Sequence, residues 1–451
     1  MNARNANTPR SDGQAAGWST THRGVDRALR AVAVVYLVAI AALVAVYKES
    51  VIEVFARNPF FAAYGALVSG YILSRFLLSL LYRDAHLQGL EPHVAVVVPA
   101  FNEEAAIYAS IEALLALDYP ADKLDVVVVD DGSTDGTAKE IERARAGSDG
   151  RVRAIQFEHN RGKRAAMARG IRETTAEIIA FVDSDSVLEP EALRKLVQRF
   201  ADARVGAACG HADVLNPRES LVTRMQAVRY YVAFRVVKAA ESVFGAVTCC
   251  SGCFAAYRRE AIVPHLSVWE HQRFMGAPAT VGDDRSLTNV VLRDWRVVYE
   301  ARAISRTIVP ATLRGFLRQQ TRWKRSWTRE SLIVARFIWR KNPVAAVATY
   351  AAVLLPLVAP IAAVRALLWL PLHGAGAPLI YLAGLYSLAL MYGLYYAARH
   401  RPTDALWLWG VAFVFFYLVF LLWQTYYAAI TANRTTWGTR AATHALPEGS
   451  A

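Results

Sequence analysis

Cysteine is scarce in this chain, with four residues in 451, namely Cys209, Cys249, Cys250 and Cys253. All lie in the middle third, and no second Cys or His pair stands at finger spacing from the Cys249-Cys250-x-x-Cys253 cluster. That excludes a zinc finger and a disulfide framework, and the thiols read as small buried hydrophobes. Charge is also thin: 20% of residues are charged against 55% apolar, which excludes an ordinary soluble composition and points to a membrane component. Acid is scarcer than base, giving a formal net charge of +13. The basic residues sit beside apolar segments and form no aromatic-interleaved basic domain, so nucleic acid is not the partner. Lipid headgroups, nucleotide phosphates and an acidic product fit that charge. No small-residue cleavage site follows the first apolar run, so residues 1–27 read as a disordered cytoplasmic tail and not a signal peptide.

What is present divides the chain. Residues 28–82 hold two apolar segments, 28–47 and 59–82, the second interrupted by Arg75 alone. Each is long enough to cross a hydrocarbon layer of about 30 Å as a helix. Arg23, Arg27 and Arg30 before the pair and Arg83 after it place both ends in the cytoplasm. Between 90 and 310 short apolar strands alternate with helix-patterned segments and no run is long enough to span, which predicts a cytosolic α/β domain. Residues 219–244 and 311–340 mix aromatic, aliphatic and basic residues at helical spacing, as helices in a membrane interface or packed on the domain do. Residues 344–430 are apolar again, in three segments, the first containing Pro356 and Pro360. Three spans would put the tail 431–451 outside the cell; a re-entrant first segment would put it inside.

The chemistry-bearing residues follow strand ends. The runs 94–98, 126–129 and 178–182 are wholly apolar and stop abruptly at Asn102-Glu103, Asp130-Asp131 and Asp183-Ser-Asp185. Buried parallel strands read this way, and open α/β sheets bind ligands beyond the carboxyl ends of their strands. Gly132 and Ser133 let the chain turn tightly after Asp131. Lys163 and Arg164 in NRGKRAAMARG stand at a predicted helix start, where backbone donors already favour phosphate. Asp183 and Asp185, two positions apart, suit a hard divalent cation bridging a diphosphate.

Strand-Pro-x-x-Asn-Glu-Glu followed by Asp-Asp-Gly-Ser-Thr-Asp resembles the nucleotide-binding half of the family 2 glycosyltransferases, whose fold is called GT-A. That resemblance implies a mostly parallel, Rossmann-like α/β domain between transmembrane helices. It implies UDP contacts at Glu103, Asp130, Asp131, Lys163, Arg164 and Asp183, and Mg²⁺ or Mn²⁺ at Asp183 and Asp185. It makes Asp284 of Gly282-Asp283-Asp284-Arg285 the catalytic base with Asp283 beside it. Gln319-Gln320-Thr-Arg322-Trp323 resembles the Gln-x-x-Arg-Trp signature of processive members. Ser251, Gly252 and Cys253 fall where the family lines its acceptor subsite.

GDDRSLTN at 282–289, QQTRWKRSWTRE at 319–330 and Trp437-Gly-Thr-Arg440 together look like class I hyaluronan synthases. Those enzymes are inverting and processive, draw on UDP-N-acetylglucosamine and UDP-glucuronate, and pass the polysaccharide across the plasma (inner) membrane from a cytoplasmic catalytic domain. Trp437 and Arg440 would then belong to the product site, which requires a cytoplasmic tail. The related chitin-oligosaccharide synthases carry Gly-Glu-Asp where this chain has Gly-Asp-Asp. Hyaluronan synthases carry Ser-Gly-Pro-Leu where this chain has Ser251-Gly-Cys-Phe, which leaves open a neutral N-acetylglucosamine polymer as product. A transporter whose α/β domain merely binds nucleotide would not need nucleotide, metal and base candidates in this order.

Overall fold

The computed structural model describes residues 58–373, 378–400 and 406–434. The predicted first span at 28–47 and the tail segment with Trp437 and Arg440 lie outside the described residues.

A helix, α1 (Pro59–Ser79), leads into an eight-stranded sheet of order β3-β2-β1-β4-β7-β6-β10-β5. Its strands are β1 (Val94–Ala100), β2 (Leu124–Asp130), β3 (Val152–Gln156), β4 (Ile178–Phe181), β5 (Ser186–Leu188), β6 (Val205–Val214), β7 (Ala255–Arg258) and β10 (Arg296–Thr307), with β8 (Arg273–Phe274) and β9 (Ala277–Pro278) forming a separate hairpin. β1 lies parallel between β2 and β4, and every residue of VAVVVPA is buried, because helices cover both faces. β7 runs antiparallel between β4 and β6. β1 sends its chain to β2 on one side while β4 lies on its other side, so the crevice at that reversal receives the ends of β1, β2 and β4.

The helices used below are α2 (Ile107–Leu115), α3 (Thr137–Ala146), α4 (Lys163–Arg172), α5 (Ala192–Val197), α6 (Leu221–Val232), α7 (Ala239–Val243), α8 (Leu266–Glu270), α9 (Asp283–Leu292) and α10 (Leu313–Ala335). Ser220 caps α6 through a reciprocal pair of bonds with Thr223, and a π-helical turn, Ala233–Lys238, carries α6 into α7. The predicted amphipathic segment 219–244 is therefore one helical rod. Val222, Met225, Val228, Tyr231 and Val232 are buried on it, wedged between the sheet and the apolar helices. Beneath it His211 of β6 is fully buried, with Nδ1 2.7 Å from Tyr299 Oη and Nε2 3.0 Å from Asp213 Oδ1.

Three further helices follow: α11 (Pro343–Leu372), α12 (Pro378–His400) and α13 (Trp407–Ile430). With α1 they make four described helices long and apolar enough to cross a membrane, and this is a membrane protein. α11 runs through Pro356 and Pro360 as one helix, with no re-entrant break. Beside those prolines Tyr64 of α1 donates to the Leu355 carbonyl at 3.3 Å and Tyr426 of α13 to the Leu357 carbonyl at 2.6 Å. The end of α13 lies against α10: Lys324 Nζ donates to Thr425 Oγ1 at 2.8 Å and Arg325 Nε to Thr431 Oγ1 at 3.0 Å.

Candidate active site

On the donor side β1 ends in Asn102, in the left-handed region at φ 54. Its amide donates to Ser133 Oγ at 3.0 Å and its Oδ1 accepts from the Thr134 amide at 2.9 Å, so the β1 and β2 turns brace each other. Glu103 is buried, its amide donating to Thr137 Oγ1 at 2.8 Å. Asp130 closes β2 and is 2% exposed. Its Oδ1 accepts from the Ser133 amide at 3.0 Å and from Ser133 Oγ at 2.5 Å, while Oδ2 is buried with no protein partner, leaving an acceptor for a bound donor.

Asp131 does something else. Its Oδ1 accepts from the Arg161 amide at 2.7 Å and its Oδ2 from the Gly162 amide at 2.9 Å, so it holds the loop before α4. Burial raises its carboxyl above the ordinary range, against the pull of those amides. The turn between is closed by Gly132 at φ 70, where a Cβ would stand 2.5 Å from the His159 carbonyl carbon.

Lys163 and Arg164 open α4 but part company. Lys163 Nζ pairs with Asp183 Oδ1 at the end of β4. Arg164 turns away into a buried ion pair, Nε to Asp283 Oδ1 at 2.7 Å. Arg164, expected at the nucleotide, and Asp283, expected beside the base Asp284, face each other in the structure. Asp185 is buried one turn further on, and Asp183 donates its amide to the Gly252 carbonyl at 3.0 Å. Ser251 and Gly252 are half-buried there, and Cys253 is nearly buried. Its thiol is pushed up to about 12 by burial and then by the Asp183 charge.

Asp284 sits in the first turn of α9, where the helix dipole favours a carboxylate. Its Oδ1 accepts from the Arg285 amide at 2.8 Å, and the Cys249 thiol lies 3.5 Å from Oδ2. Burial and then Asp284 push that thiol up to about 12, which keeps it a protonated donor. Gly282 before the helix has φ 76 and packs directly on α10, whose Ser326 Cβ would lie 2.2 Å from an added Cβ. On α10, Gln320 is buried and its Oε1 accepts from Arg229 Nη1 at 2.7 Å. Gln319 and Arg322 are half-buried, and Trp323 stays 37% exposed against the Tyr230 ring, centroids 6.1 Å apart. The Tyr230 hydroxyl in turn is raised by burial and then by Cys253, Asp185 and Asp183, against Arg229. Sequence reasoning missed Cys249 and the buried Arg329 and Glu330. The adjacent opposite charges closing QQTRWKRSWTRE were the available signal for the last two.

Residues 95–264 match the family described as Glycosyl transferase family 2. A hyaluronan synthase of Streptococcus pyogenes is 33% identical over 388 residues, covering 84% of this chain and 90% of that protein. The chain belongs to glycosyl transferase family 2. An N-acetylglucosaminyltransferase of Azorhizobium caulinodans is 38% identical over 288 residues, 62% of this chain and 72% of that one. Among solved structures a mannosyltransferase from Pyrobaculum calidifontis, in complex with GDP-Man and Mn²⁺, superposes with TM-score 0.55 at 23% identity, covering 82% of this chain and 98% of that one. The family fold is thus GT-A, and this family 2 member is a glycosyltransferase acting on a nucleotide sugar.

Proposed function

We propose that this family 2 enzyme is an inverting, processive synthase that joins N-acetylglucosamine and glucuronate from their UDP-sugars into hyaluronan and passes the polymer across the membrane. The observation that carries this reading is one sheet edge where Asp130, Lys163, Asp183 and Asp185 meet an acceptor side made of 251–253 and Asp284, with Trp323 against the Tyr230 ring. A relative matched over 90% of its length, the streptococcal hyaluronan synthase, supports the polymer's identity.

The buried Asp130 Oδ2 accepts an imide N–H such as that of uracil. Lys163 opposes the diphosphate. Asp284 takes the proton of the acceptor hydroxyl as its oxygen forms the new bond to the sugar's anomeric carbon on the face opposite UDP. The bond to the diphosphate breaks with inversion, and the electron pair leaves on UDP. Among the described residues no cluster of three or more His, Cys, Asp or Glu side chains could hold a metal unaided. Mg²⁺ or Mn²⁺ bound together with a substrate needs only one or two protein carboxylates, and Asp183, which faces the Lys163 cation, and Asp185 would hold it. Such an ion would offset the charge growing on the leaving diphosphate.

The reading places a multi-pass chain in the plasma (inner) membrane with its catalytic domain in the cytoplasm and its interface helix at 311–340. Because α13 ends against α10, the tail bearing Trp437 and Arg440 starts beside the helix that carries Trp323, which supports a cytoplasmic tail. The test supplies purified protein with each UDP-sugar alone and then both, with Mg²⁺ or Mn²⁺. Polymer is expected only with both sugars, degraded by a hyaluronan-specific lyase. The 38% identity over 288 residues to an N-acetylglucosaminyltransferase, with Cys253 in the acceptor segment, favours a second reading. Product made from UDP-N-acetylglucosamine alone and cut by chitinase would establish it. Asp284→Asn is expected to abolish transfer and keep UDP binding.

A further inference from the structure

In sequence Lys163 is followed by Arg164 and Asp284 is preceded by Asp283. Arg164 is 6% exposed and Asp283 is 5% exposed. They meet across 119 residues of chain at 2.7 Å. The same guanidinium donates through Nη1 to the Trp269 carbonyl at 3.1 Å and to Gln272 Oε1 at 2.9 Å, and lies 5.2 Å from the Trp269 ring centroid. Gln272 extends the connection. Its Oε1 accepts from Ser286 Oγ at 2.7 Å and its Nε2 donates to Glu330 Oε1 at 3.2 Å. Glu330 also accepts from Asn289 Nδ2 at 3.0 Å and from Arg329 Nε at 2.7 Å. Arg329 donates onward to the Val281 carbonyl, just before Gly282.

This network joins the first turn of α4, the first two turns of α9 and the second half of α10. A buried ion pair is a weak source of net stability, because desolvation consumes most of the attraction. What a planar guanidinium with fixed donors supplies is geometry. The pair is one residue from Lys163 on one side and one residue from Asp284 on the other.

We propose that Arg164 and Asp283 are positioning residues. Their ion pair sets the donor-side Lys163 and the acceptor-side Asp284 at a fixed separation, and Gln272 and Glu330 hold α10 in the same frame. Neither touches nucleotide or acceptor. This inference rests on the reading of Asp284 as base and Lys163 as the diphosphate contact.

The test compares Arg164→Met, Asp283→Leu and the double replacement Arg164→Met with Asp283→Leu in the purified full chain, counting turnover per UDP-binding site. Each single change is expected to lower kcat about 100-fold, as a misplacement of about 1 Å does, with KM for the UDP-sugar unchanged. The double change leaves no unpaired buried charge, so it guards against simple unfolding, and it is expected to lose no more than the worse single change. A raised KM with unchanged kcat in Arg164→Met would assign Arg164 to the nucleotide and overturn the proposal. So would full turnover in the double variant, which would confine the pair to stability, or losses that multiply, which would separate the two residues. Asp284→Asn at wild-type turnover would refute the base itself. The Arg164–Asp283 cycle reads coupling independently of that result.

Discussion

Replacing Gly282 by Ala perturbs the joint between α9 and α10 with a single methyl group. An ideal Cβ there stands 2.2 Å from Ser326 Cβ and 2.5 Å from Ser326 Oγ. Carbon atoms rest at about 3.5–4.0 Å, so α10 must retreat by more than about 1 Å or the first turn of α9 must distort. The left-handed backbone at φ 76 adds about 1–2 kcal/mol for an L side chain, and overpacking about 1–3 kcal/mol. Gly282→Ala is therefore expected to lose about 2–5 kcal/mol of stability, and turnover falls about 100-fold because Asp284 and Trp323 separate. Adding Ser326→Gly deletes the clashing Cβ and is expected to restore the packing part, leaving the backbone strain of about 1–2 kcal/mol. Adding Ser326→Ala keeps that Cβ and restores little. Thermal midpoints of the detergent-solubilised protein and turnover per UDP-binding site read both effects. Wild-type stability and turnover in Gly282→Ala, or a rescue by Ser326→Ala equal to that by Ser326→Gly, would refute the reasoning.

Gly132→Ala is expected to raise KM for UDP-sugar more than kcat falls, because its Cβ meets the backbone of His159 and Asn160, the loop that Asp131 holds; an unchanged KM counts against that loop as donor contact. Acid sensitivity has a source in His211, held down to about 4 by burial and then by Arg235, while Asp213 opposes. With an unfolded value of about 6.5, the unfolded chain takes a proton first, so stability falls as pH drops from about 6.5 to about 4, by about 3 kcal/mol in all. His211→Asn is expected to flatten that part of the unfolding free energy against pH, and an unchanged slope would place the sensitivity elsewhere. Trp323→Ala removes the exposed ring on which a sugar of the proposed product would stack, so product is expected to be released sooner and to shorten on gel filtration. Trp323→Phe keeps most of the length.

The strand ends were legible because three Val- and Ile-rich runs, buried on both faces, must stop where polar residues begin. β1, β2 and β4 fall on those runs, and Asp130 and Asp183 stand at their ends. The division of labour between neighbours was not legible. Asp130 and Asp131 are adjacent, yet the turn at Gly132 sends one carboxylate to Ser133 and the other to the loop before α4. Lys163 and Arg164 diverge because successive residues on a helix point about 100° apart, one toward β4 and the other toward α9. The links from Glu330 to Gln272 and Asn289 span 58 and 41 residues, distances at which sequence pattern carries no pairing information. The insertion of β7 between β4 and β6 is likewise a tertiary result, since nothing local in AAYR specifies an antiparallel neighbour.

One hydrogen bond, from the Asp183 amide to the Gly252 carbonyl at 3.0 Å, has a meaning for how a polymer grows here. On the proposed reading it ties the cation end of the donor site to the floor of the acceptor site directly through the backbone. Two sites joined that way share one hydrogen-bonded seam. On that reading, advance by one sugar is a movement of the polymer past a fixed floor, along the exposed ring of Trp323. For redesign, this means that exchanging 251–253 for a relative's segment to alter the acceptor also retunes the seat of the donor.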